Sequence, residues 1–445
     1  MLLFIGVFLF SGLSPVGTSF DSRWTVYQAV SLWRHGNLTL DDYVPLLENS
    51  EFYGVYCVDD RGRISRRLEC SGHWYSAYPI GGPVLTAPLV LAEIGILRAF
   101  SPIFRSLHPT DPTLNGFLRG DFSAGHALIE MEAASFLLAA TAVMVYAVAR
   151  RFLPSRRAVW LAILFAAATP AYSVAGRGLW QHTPSMLLLS IVIYLLIKAE
   201  DRPILAAWAG LPVALSYTVR PTGSLFVLTF TTYVALRFRS YFIRYLVAAA
   251  PVAVAFLAVN LSIYHRFLSP YYRQQPEFDR PHYWSEFGKA VAGNLISPGR
   301  GLLVYTPVFG FAIACMLWSK WKPPLATWLA GLAGLHWLVI SSFVSFWWGG
   351  MCYGSRFFTD LTPVLALFLI PIFADWERLG RATRVGFIAL ALMGLGMNLR
   401  GGWSSAVYQW SIEPNSIDQH PERNWDWSDP PFLRTPLIGR TSPSR

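Results

Sequence analysis

Apolar runs long enough to cross a lipid bilayer recur along most of the chain. Taking roughly 17–25 predominantly apolar residues as one span, the pattern predicts about eleven transmembrane helices. They lie near residues 1–20, 125–149, 158–176, 183–197, 203–219, 221–236, 241–262, 301–318, 324–346, 357–374 and 385–399. The sequence therefore predicts an all-α polytopic membrane protein.

One further apolar stretch, about 79–97, is interrupted by glycine and proline. Pro79, Gly81, Gly82, Pro83 and Pro88 fall within it. Proline inside a helix removes a backbone hydrogen bond and kinks or breaks the helix. We therefore interpret this stretch as a pair of interfacial or re-entrant helices rather than as a span.

Charge in the short loops between the predicted spans favours the same interpretation. Basic residues accumulate on cytoplasmic loops, and these loops hold fourteen bases against four acids. With these loops in the cytoplasm, residues 21–124 form one long extracytoplasmic loop only if 79–97 does not cross. The bases are Arg150, Arg151, Arg156, Arg157, Lys198, Arg202, Arg237, Arg239, Arg244, Lys320, Lys322, Arg378, Arg381 and Arg384, and the acids are Glu200, Asp201, Asp375 and Glu377.

Composition agrees with a multi-pass protein of the plasma membrane. Hydrophobic residues make up 54% of the 445 residues and charged residues 14%, which is too apolar for a soluble protein of this length. The net charge of +10 is explained by the cytoplasmic bases, so nucleic acid is not an expected partner. We divide the chain into a first transmembrane module that includes the long loop 21–124 (1–237), a second transmembrane module (238–400) and a Trp-rich extracytoplasmic tail (401–445) lying against the membrane interface.

Asp21 is the first charged residue, and it follows an uncharged stretch of twenty residues. An acid at this position could cap the next amphipathic segment, 25–35. It could also act as a general base on an acceptor hydroxyl or bind a divalent cation. Arg23 follows it and is a candidate substrate contact.

Two clusters on the predicted outer face carry aromatic and ionisable side chains. His73, Tyr75 and Tyr78 precede the broken stretch and could anchor the protein at the interface or bind a sugar face. Trp180 and His182 lie in a short bend between two spans, where ionisable groups at membrane depth suggest function.

Three arginines stand at predicted membrane entrances on the same face. Arg220, Arg300 and Arg356 could contact lipid headgroups or bind a phosphate through paired hydrogen bonds. Arg300 and Arg356 follow glycine-rich backbone, which permits close approach of a ligand. Tyr353, in the run before Arg356, is a further candidate substrate contact.

The four cysteines, at 57, 70, 315 and 352, contain no CxxC pair. The sequence therefore gives no support for a zinc or redox motif. Cys57 and Cys70 could form a disulfide if their loop lies outside the cytoplasm.

Several of these segments together resemble a known family. They are Asp21 at the start of a long first outer loop, the amphipathic segment ending His35-Gly36, the run Tyr75 to Pro83, Arg220-Pro221, the run Ser297 to Leu302, and the run Trp348 to Arg356. In this order they look like the GT-C membrane glycosyltransferases, in particular bacterial relatives of the protein mannosyltransferases and aminoarabinose transferases. The resemblance covers about residues 1–400.

The resemblance implies a GT-C-like fold and transfer of a sugar from a polyprenyl-phosphate donor to an acceptor on the extracytoplasmic face. The family's first-loop acid corresponds to Asp21. Many relatives have a second acid where this chain has Ser22, and an acid in the later bend where it has His182, so use of a divalent cation stays open. A transporter or flippase of a lipid-linked or small polar substrate is the alternative, and transporters typically show paired discontinuous helices in two halves.

Overall fold

The structure of the protein is a computed structural model that describes residues 1–65, 70–107, 115–116, 122–319 and 323–436. It is predominantly helical, with one small sheet in the predicted first outer loop. Its longer helices are Leu2–Gly12, Thr25–His35, Gly81–Ala99, Phe122–Ala149, Ser155–Ala167, His182–Ala199, Gly210–Val219, Gly223–Arg237, Phe242–Tyr264, Tyr283–Ile296, Phe309–Trp318, Ala326–Ser342 and Arg381–Trp403. Shorter α-helices are Val44–Asn49, Ser101–Leu107, Pro170–Ser173, Ile204–Trp208, Leu302–Tyr305, Thr362–Leu367, Ile370–Ala374 and Ala406–Gln409.

Within the described residues, six helices are long and apolar enough to cross a membrane. They are Gly81–Ala99, Ala127–Ala149, His182–Ala199, Arg239–Tyr264, Arg356–Ala374 and Arg381–Trp403. Ser155–Ala167 and Pro170–Arg177, bent by 45° at their junction, make a seventh if they form one span. The polytopic expectation is supported, but the count of eleven is not confirmed.

The structure has fewer candidate spans than the sequence predicts because several of its apolar helices are short. Every predicted segment contains a helix, but five apolar helices have only 10–17 residues. The first, for example, ends at Gly12, since Pro15 and Gly17 interrupt the apolar run that follows. The five are Leu2–Gly12, Ile204–Val219, Gly223–Arg237, Phe309–Trp318 and Ala326–Ser342.

The predicted break in 79–97 is wrong. Gly81–Ala99 is one helix of 19 residues. Pro83 falls in its first turn, where the missing N–H has no intrahelical partner to lose, and membrane helices tolerate an interior proline such as Pro88. Its length and composition qualify it as a candidate span.

Contacts along this helix nevertheless favour a position at one side of the membrane. At its start, the backbone of Gly81 lies against Thr218, at the end of the helix Gly210–Val219. In its fourth turn, Glu93 lies within electrostatic range of Glu132, two residues from Glu130, which accepts from the Leu179 amide of the outer bend. Its placement at the interface stays a prediction.

The first outer loop contains a three-stranded antiparallel sheet. Strand β1 (Val55–Val58) pairs with β2 (Ile64–Ser65) on one side and β3 (His73–Ser76) on the other. Cys57 and Cys70 form a disulfide with Cα atoms 5.6 Å apart. The structure thus forms the bond that the sequence left open.

Loops that the charge pattern assigns to one face contact one another. On the predicted cytoplasmic side, Arg157 pairs with Glu377 and Arg151 with Asp201. Arg237 pairs with Glu200 at 2.8 Å. Lys320 and Lys322 lie outside the described residues. The grouping agrees with the prediction, and the side of the membrane stays a prediction.

The tail is packed onto the protein instead of forming an aromatic belt. Trp410 is 1% exposed, because the guanidinium groups of Arg300 and Arg423 cover its ring at 5.4 and 4.6 Å. Trp425 contacts Trp347 with ring centroids 6.4 Å apart. Residues 401–436 therefore pack against the loops that hold Arg300 and Trp347, which changes their interpretation.

Candidate active site

Asp21 is held by side chains from three distant parts of the chain. The hydroxyls of Tyr53 and Tyr78 donate to its Oδ1 at 2.9 and 2.8 Å. Arg356 Nη2 forms an ion pair with its Oδ2. The helix Thr25–His35 begins after Trp24 without a side-chain cap, so the capping role considered for Asp21 is not observed.

These contacts set the protonation of the cluster. Burial raises the pKa of the Asp21 carboxyl, but the Arg356 guanidinium and the hydrogen bonds from Arg356, Tyr78 and Tyr53 outweigh it, so the pKa lies below its ordinary value. Burial and the Asp21 charge raise the pKa of Tyr78 far above its usual range and raise that of Tyr53. Asp21 is therefore a carboxylate at neutral pH, and both tyrosines are neutral hydrogen-bond donors.

Arg356 reaches Asp21 because its guanidinium is fixed on its other sides. The guanidinium lies over the Trp180 ring at 4.1 Å. Its Nη1 donates to the Gly349 carbonyl at 3.0 Å, and its Nε faces His182 Nε2 at 3.3 Å. Gly349, at φ +75°, takes a left-handed conformation that favours glycine and lets the Gly-rich loop (residues 347–356) turn back onto the arginine.

A buried ionic cluster supports His182. Asp360 is completely buried, and its Oδ1 lies 2.6 Å from His182 Nδ1. Its Oδ2 accepts from Arg220 Nη1 at 2.6 Å. Each ring nitrogen of His182 faces a guanidinium that can only donate, Arg356 Nε at Nε2 and Arg220 Nη1 at 2.6 Å from Nδ1, so the imidazole is neutral. Asp360 and His182 thereby orient Arg356.

Sequence analysis missed Asp360 and Tyr53. Asp360 lies in the apolar segment 357–374, where an acid at membrane depth is itself a functional signal. Tyr53 lies in a polar part of the first outer loop with no pattern to distinguish it. Of the residues predicted from sequence, Asp21, Tyr78, Trp180, His182, Arg220 and Arg356 meet in this site.

Beside Asp21 the structure leaves a narrow pocket between Gln28, Gln181 and Arg356. Its volume is about 20 Å³, which is room for about one ordered water. A sugar phosphate could enter only if side chains moved apart. The Asp21–Arg356 ion pair is the contact that such a ligand would have to open.

Other predicted contacts from the first outer loop lie at its edges. Arg23 stacks over the rings of Tyr53 and Trp24 at 5.6 and 6.0 Å. His73 bonds Asp41 at 2.7 Å, with its side chain 61% exposed. Tyr75 pairs with Tyr56 across the sheet. The described contacts connect Arg23 to Asp21 through Tyr53, and do not bring His73 or Tyr75 to it.

Arg300 and Tyr353 have partners that favour structural roles. Arg300 is 1% exposed, and its guanidinium donates to the carbonyls of Trp348, Gly299 and Gly350, each at 2.9 Å. Tyr353 is completely buried and donates to the Met397 carbonyl at 2.8 Å. The glycine-rich backbone beside Arg300 brings carbonyl groups to it, so a phosphate would have to compete with them.

The side chains around Asp21 do not fit a divalent cation as they stand. Among the described residues, no group of three or more His, Cys, Asp or Glu side chains is placed to hold a metal ion. Asp21 itself is engaged by a guanidinium and two hydroxyl donors. A cation would have to displace Arg356, so this arrangement of side chains does not fit a metal ion.

The chain was compared with known proteins. No family model and no curated protein matches it. Its structure is similar to the crystal structure of the Archaeoglobus fulgidus oligosaccharyltransferase tethered with an acceptor peptide, with a TM-score of 0.47 and 12% identity over 100% of this chain. The apo form of the same enzyme gives a TM-score of 0.44 and 12% identity. The chain spans 60% and 61% of the length of those two structures.

Proposed function

We propose that the protein is an integral membrane glycosyltransferase that moves a sugar from a polyprenyl-phosphate donor to an acceptor on the extracytoplasmic face of the plasma membrane. One observation carries the proposal: an ionised Asp21 is held against Arg356 beside a pocket. A carboxylate and a guanidinium are the groups needed to take a proton from an acceptor and to neutralise a leaving phosphate. The sequence resemblance supports the same chemistry.

In the proposed reaction, Asp21 accepts the proton of the acceptor hydroxyl as its oxygen attacks the anomeric carbon. The bond from that carbon to the phosphate oxygen breaks, and the polyprenyl phosphate leaves with the electron pair. Arg356 stabilises the charge that grows on the phosphate. Tyr53 and Tyr78 keep Asp21 oriented throughout.

The Asp21–Arg356 ion pair implies that the donor binds before the acceptor is deprotonated. The donor phosphate competes with Asp21 for Arg356, and its binding weakens the ion pair. Because Arg356 is what lowers the pKa of Asp21 against burial, its transfer to the phosphate makes Asp21 a stronger base. Donor binding thus activates the group that deprotonates the acceptor.

The transporter alternative has less support. It would be favoured by paired discontinuous helices in two related halves. Within the described residues, one bent pair is found, Ser155–Ala167 with Pro170–Arg177. A proton acceptor paired with a phosphate-binding cation at one pocket is better suited to group transfer.

The test is turnover in proteoliposomes containing the purified protein and a polyprenyl-phosphate hexose labelled in the sugar. Membrane lipids, glycans and peptides are supplied in turn as acceptors. We expect label to pass to one acceptor class with release of polyprenyl phosphate. If the labelled donor instead crosses the membrane with its sugar–phosphate bond intact, the protein is a flippase.

A further inference from the structure

A second, larger cavity lies apart from the Asp21 pocket, between the helix Tyr283–Ile296 with the loop before it, the Gly-rich loop and the tail. We call it the Trp groove; Trp347, Trp348 and Trp425 line it. Its volume is about 760 Å³, within the range of small-molecule binding sites. The reaction proposed above uses none of its residues.

The groove combines aromatic surface with unengaged polar groups. Trp347 and Trp348 are about 6% and 5% exposed and form a fixed wall, while Trp425 is partly exposed. Gln419 and Lys289 also line the groove, and neither side chain has a hydrogen-bond or ion-pair partner within the described ranges. A ligand would therefore meet the partly exposed Trp425 ring, supported by Trp347 and Trp348 behind it, together with free donors and acceptors.

Charge at the groove selects against an anion. Glu286, Asp418 and Glu422 contribute three carboxylates against the two cations Arg280 and Lys289. A polyprenyl phosphate or nucleotide would meet excess negative charge here. A neutral polyol meets none, since its hydroxyls bond equally well to carboxylate, amide and ammonium groups.

The aromatic wall and the mixed polar rim of the Trp groove together fit a saccharide. One face of a pyranose ring carries C–H bonds with partial positive charge, which pack against the electron-rich face of an indole. The ring's hydroxyls then reach the polar rim. From these contacts we propose that the Trp groove binds the saccharide of the acceptor, so that the acceptor is a glycan or glycolipid.

The Gly-rich loop connects this groove to Asp21. Trp348 forms the groove wall and donates its indole N–H to Asp418 at 2.8 Å. The next residue, Gly349, accepts from Arg356 Nη1 at 3.0 Å, and Arg356 pairs with Asp21. An acceptor bound in the groove is thus one short loop away from the proposed proton acceptor.

This inference rests on the proposed glycosyl transfer, but binding can be measured without turnover. Wild-type protein in lipid nanodiscs, free of sugar-based detergent, is titrated with the methyl glycosides of glucose, galactose, mannose and N-acetylglucosamine. Saturation-transfer NMR reports contact with each. We expect at least one glycoside to bind wild type and to bind Trp425→Ala about tenfold more weakly, since one stacking partner is lost.

The matched control is Trp427→Ala, in the same tail but 60% exposed and not part of the groove. It should bind like wild type. Gln419→Ala provides a second groove variant that needs no change in packing. Equal binding by Trp425→Ala, Gln419→Ala and Trp427→Ala, or no glycoside binding to wild type, overturns the saccharide site.

Turnover separates this inference from the proposed function. If label transfer occurs but the acceptor KM is the same in Trp425→Ala and Trp427→Ala, the groove is not the acceptor site and the transferase stands. If no label is transferred by wild type while glycoside binding depends on Trp425, the transferase proposal fails and the saccharide site stands. A raised acceptor KM in Trp425→Ala, with the donor KM unchanged, supports both.

Discussion

Burial and neighbouring groups have opposite effects on the pKa of Asp21, and Arg356 is the largest of the influences that lower it. The Asp21 side chain is 19% exposed, and burial alone would favour the neutral acid. The guanidinium and the two tyrosine hydroxyls reverse this and keep the carboxylate ionised. The protonation state of Asp21 therefore depends on where Arg356 is.

The first prediction concerns pH. With a lowered pKa, wild-type Asp21 stays ionised down to acid pH, so kcat/KM should fall only as pH drops below the ordinary carboxyl range of about 4. In Arg356→Gln, burial is less opposed and the pKa of Asp21 rises, so the acid limb of the pH profile, where kcat/KM falls, should move to higher pH. The measurement is the residual transfer of labelled sugar across a pH series. Arg23→Gln is the control, because it keeps the Asp21–Arg356 ion pair.

An unchanged acid limb in Arg356→Gln would contradict this electrostatic account. A limb that moves equally in Arg23→Gln would mean that any nearby positive charge has the effect. Either result would remove the direct coupling between Arg356 and Asp21.

Individual site residues could be predicted only where a charged or ionisable side chain is unusual at that position in the sequence. Asp21, at the end of an uncharged segment, and His182, in a short bend, stood out in this way. Arg300 and Arg356 share the same signal, an arginine beside glycines, yet Arg300 is enclosed by backbone carbonyls and Arg356 meets a carboxylate. Local sequence does not distinguish these outcomes because the partners come from distant segments.

At the scale of elements, the segment Arg356–Ala374 carries both ends of the ionic network. Arg356 and Asp360 lie in its first part, a 3₁₀-helix spanning Arg356–Leu361. Arg356 faces Asp21, and Asp360 faces His182 and Arg220. A change in the buried half should therefore affect both stability and the position of Arg356.

The second prediction follows from that burial. Asp360→Asn leaves the buried Arg220 without its counter-charge, and breaking a buried ion pair costs about 3–5 kcal/mol. We expect a clear fall in the melting temperature of the purified protein, measured by thermal size-exclusion analysis. Adding Arg220→Gln should recover part of it, because the unpaired charge is removed.

Asp201→Asn is the matched control, since its partner Arg151 is at the surface and exposed pairs contribute about 0–1 kcal/mol. If Asp360→Asn melts like Asp201→Asn, the buried cluster does not stabilise the fold. If the double variant is less stable than either single variant, the ion-pair account is wrong.

The third prediction concerns the helix Gly81–Ala99. Its start lies against Thr218 and its fourth turn lies near Glu132, which favours a position at one side of the membrane, so Ser101, just after it, should be extracytoplasmic. Ser101→Cys, in a background with Cys315 and Cys352 replaced by serine, should react with an impermeant maleimide in intact cells. Labelling only after permeabilisation would show that the helix crosses the membrane.

Helices were the most predictable feature, because apolar runs are read directly from the chain. Their lengths were less so: Pro15 and Gly17 shorten the first helix, and the prolines in 81–99 fail to interrupt that one. Both outcomes depend on where proline falls within a turn and on neighbouring elements. Sequence periodicity does not contain that information.

On the scale of the whole molecule, two groups of loops lie on separate sides of one apolar core. That core joins residues from Val7 to Phe387. One group carries the basic loops, and the other carries Asp21, the Gly-rich loop and the tail. The packing of the tail over Trp347 and Trp348 was not predicted, because a Trp-rich segment suits a membrane interface equally well.

The fourth prediction tests this arrangement. Cysteines introduced at Pro154 and Gly380 should be cytoplasmic, and one at Lys289, which is exposed, should be extracytoplasmic. The Asp279→Cys variant, in the same outer loop, is a control for Lys289. Residue 110, in the far part of the predicted first outer loop, lies outside the described residues. Labelling of Pro154→Cys in intact cells would invert the topology.

The central claim is that Asp21 takes part in the chemistry. The most direct measurement is turnover of labelled polyprenyl-phosphate sugar by Asp21→Asn beside Asp279→Asn, the same change at an exposed outer-loop acid. Loss of a general base should lower the rate about 10²–10⁴-fold, with the control close to wild type and both variants eluting as folded protein. Turnover by Asp21→Asn within a few-fold of wild type would contradict the account.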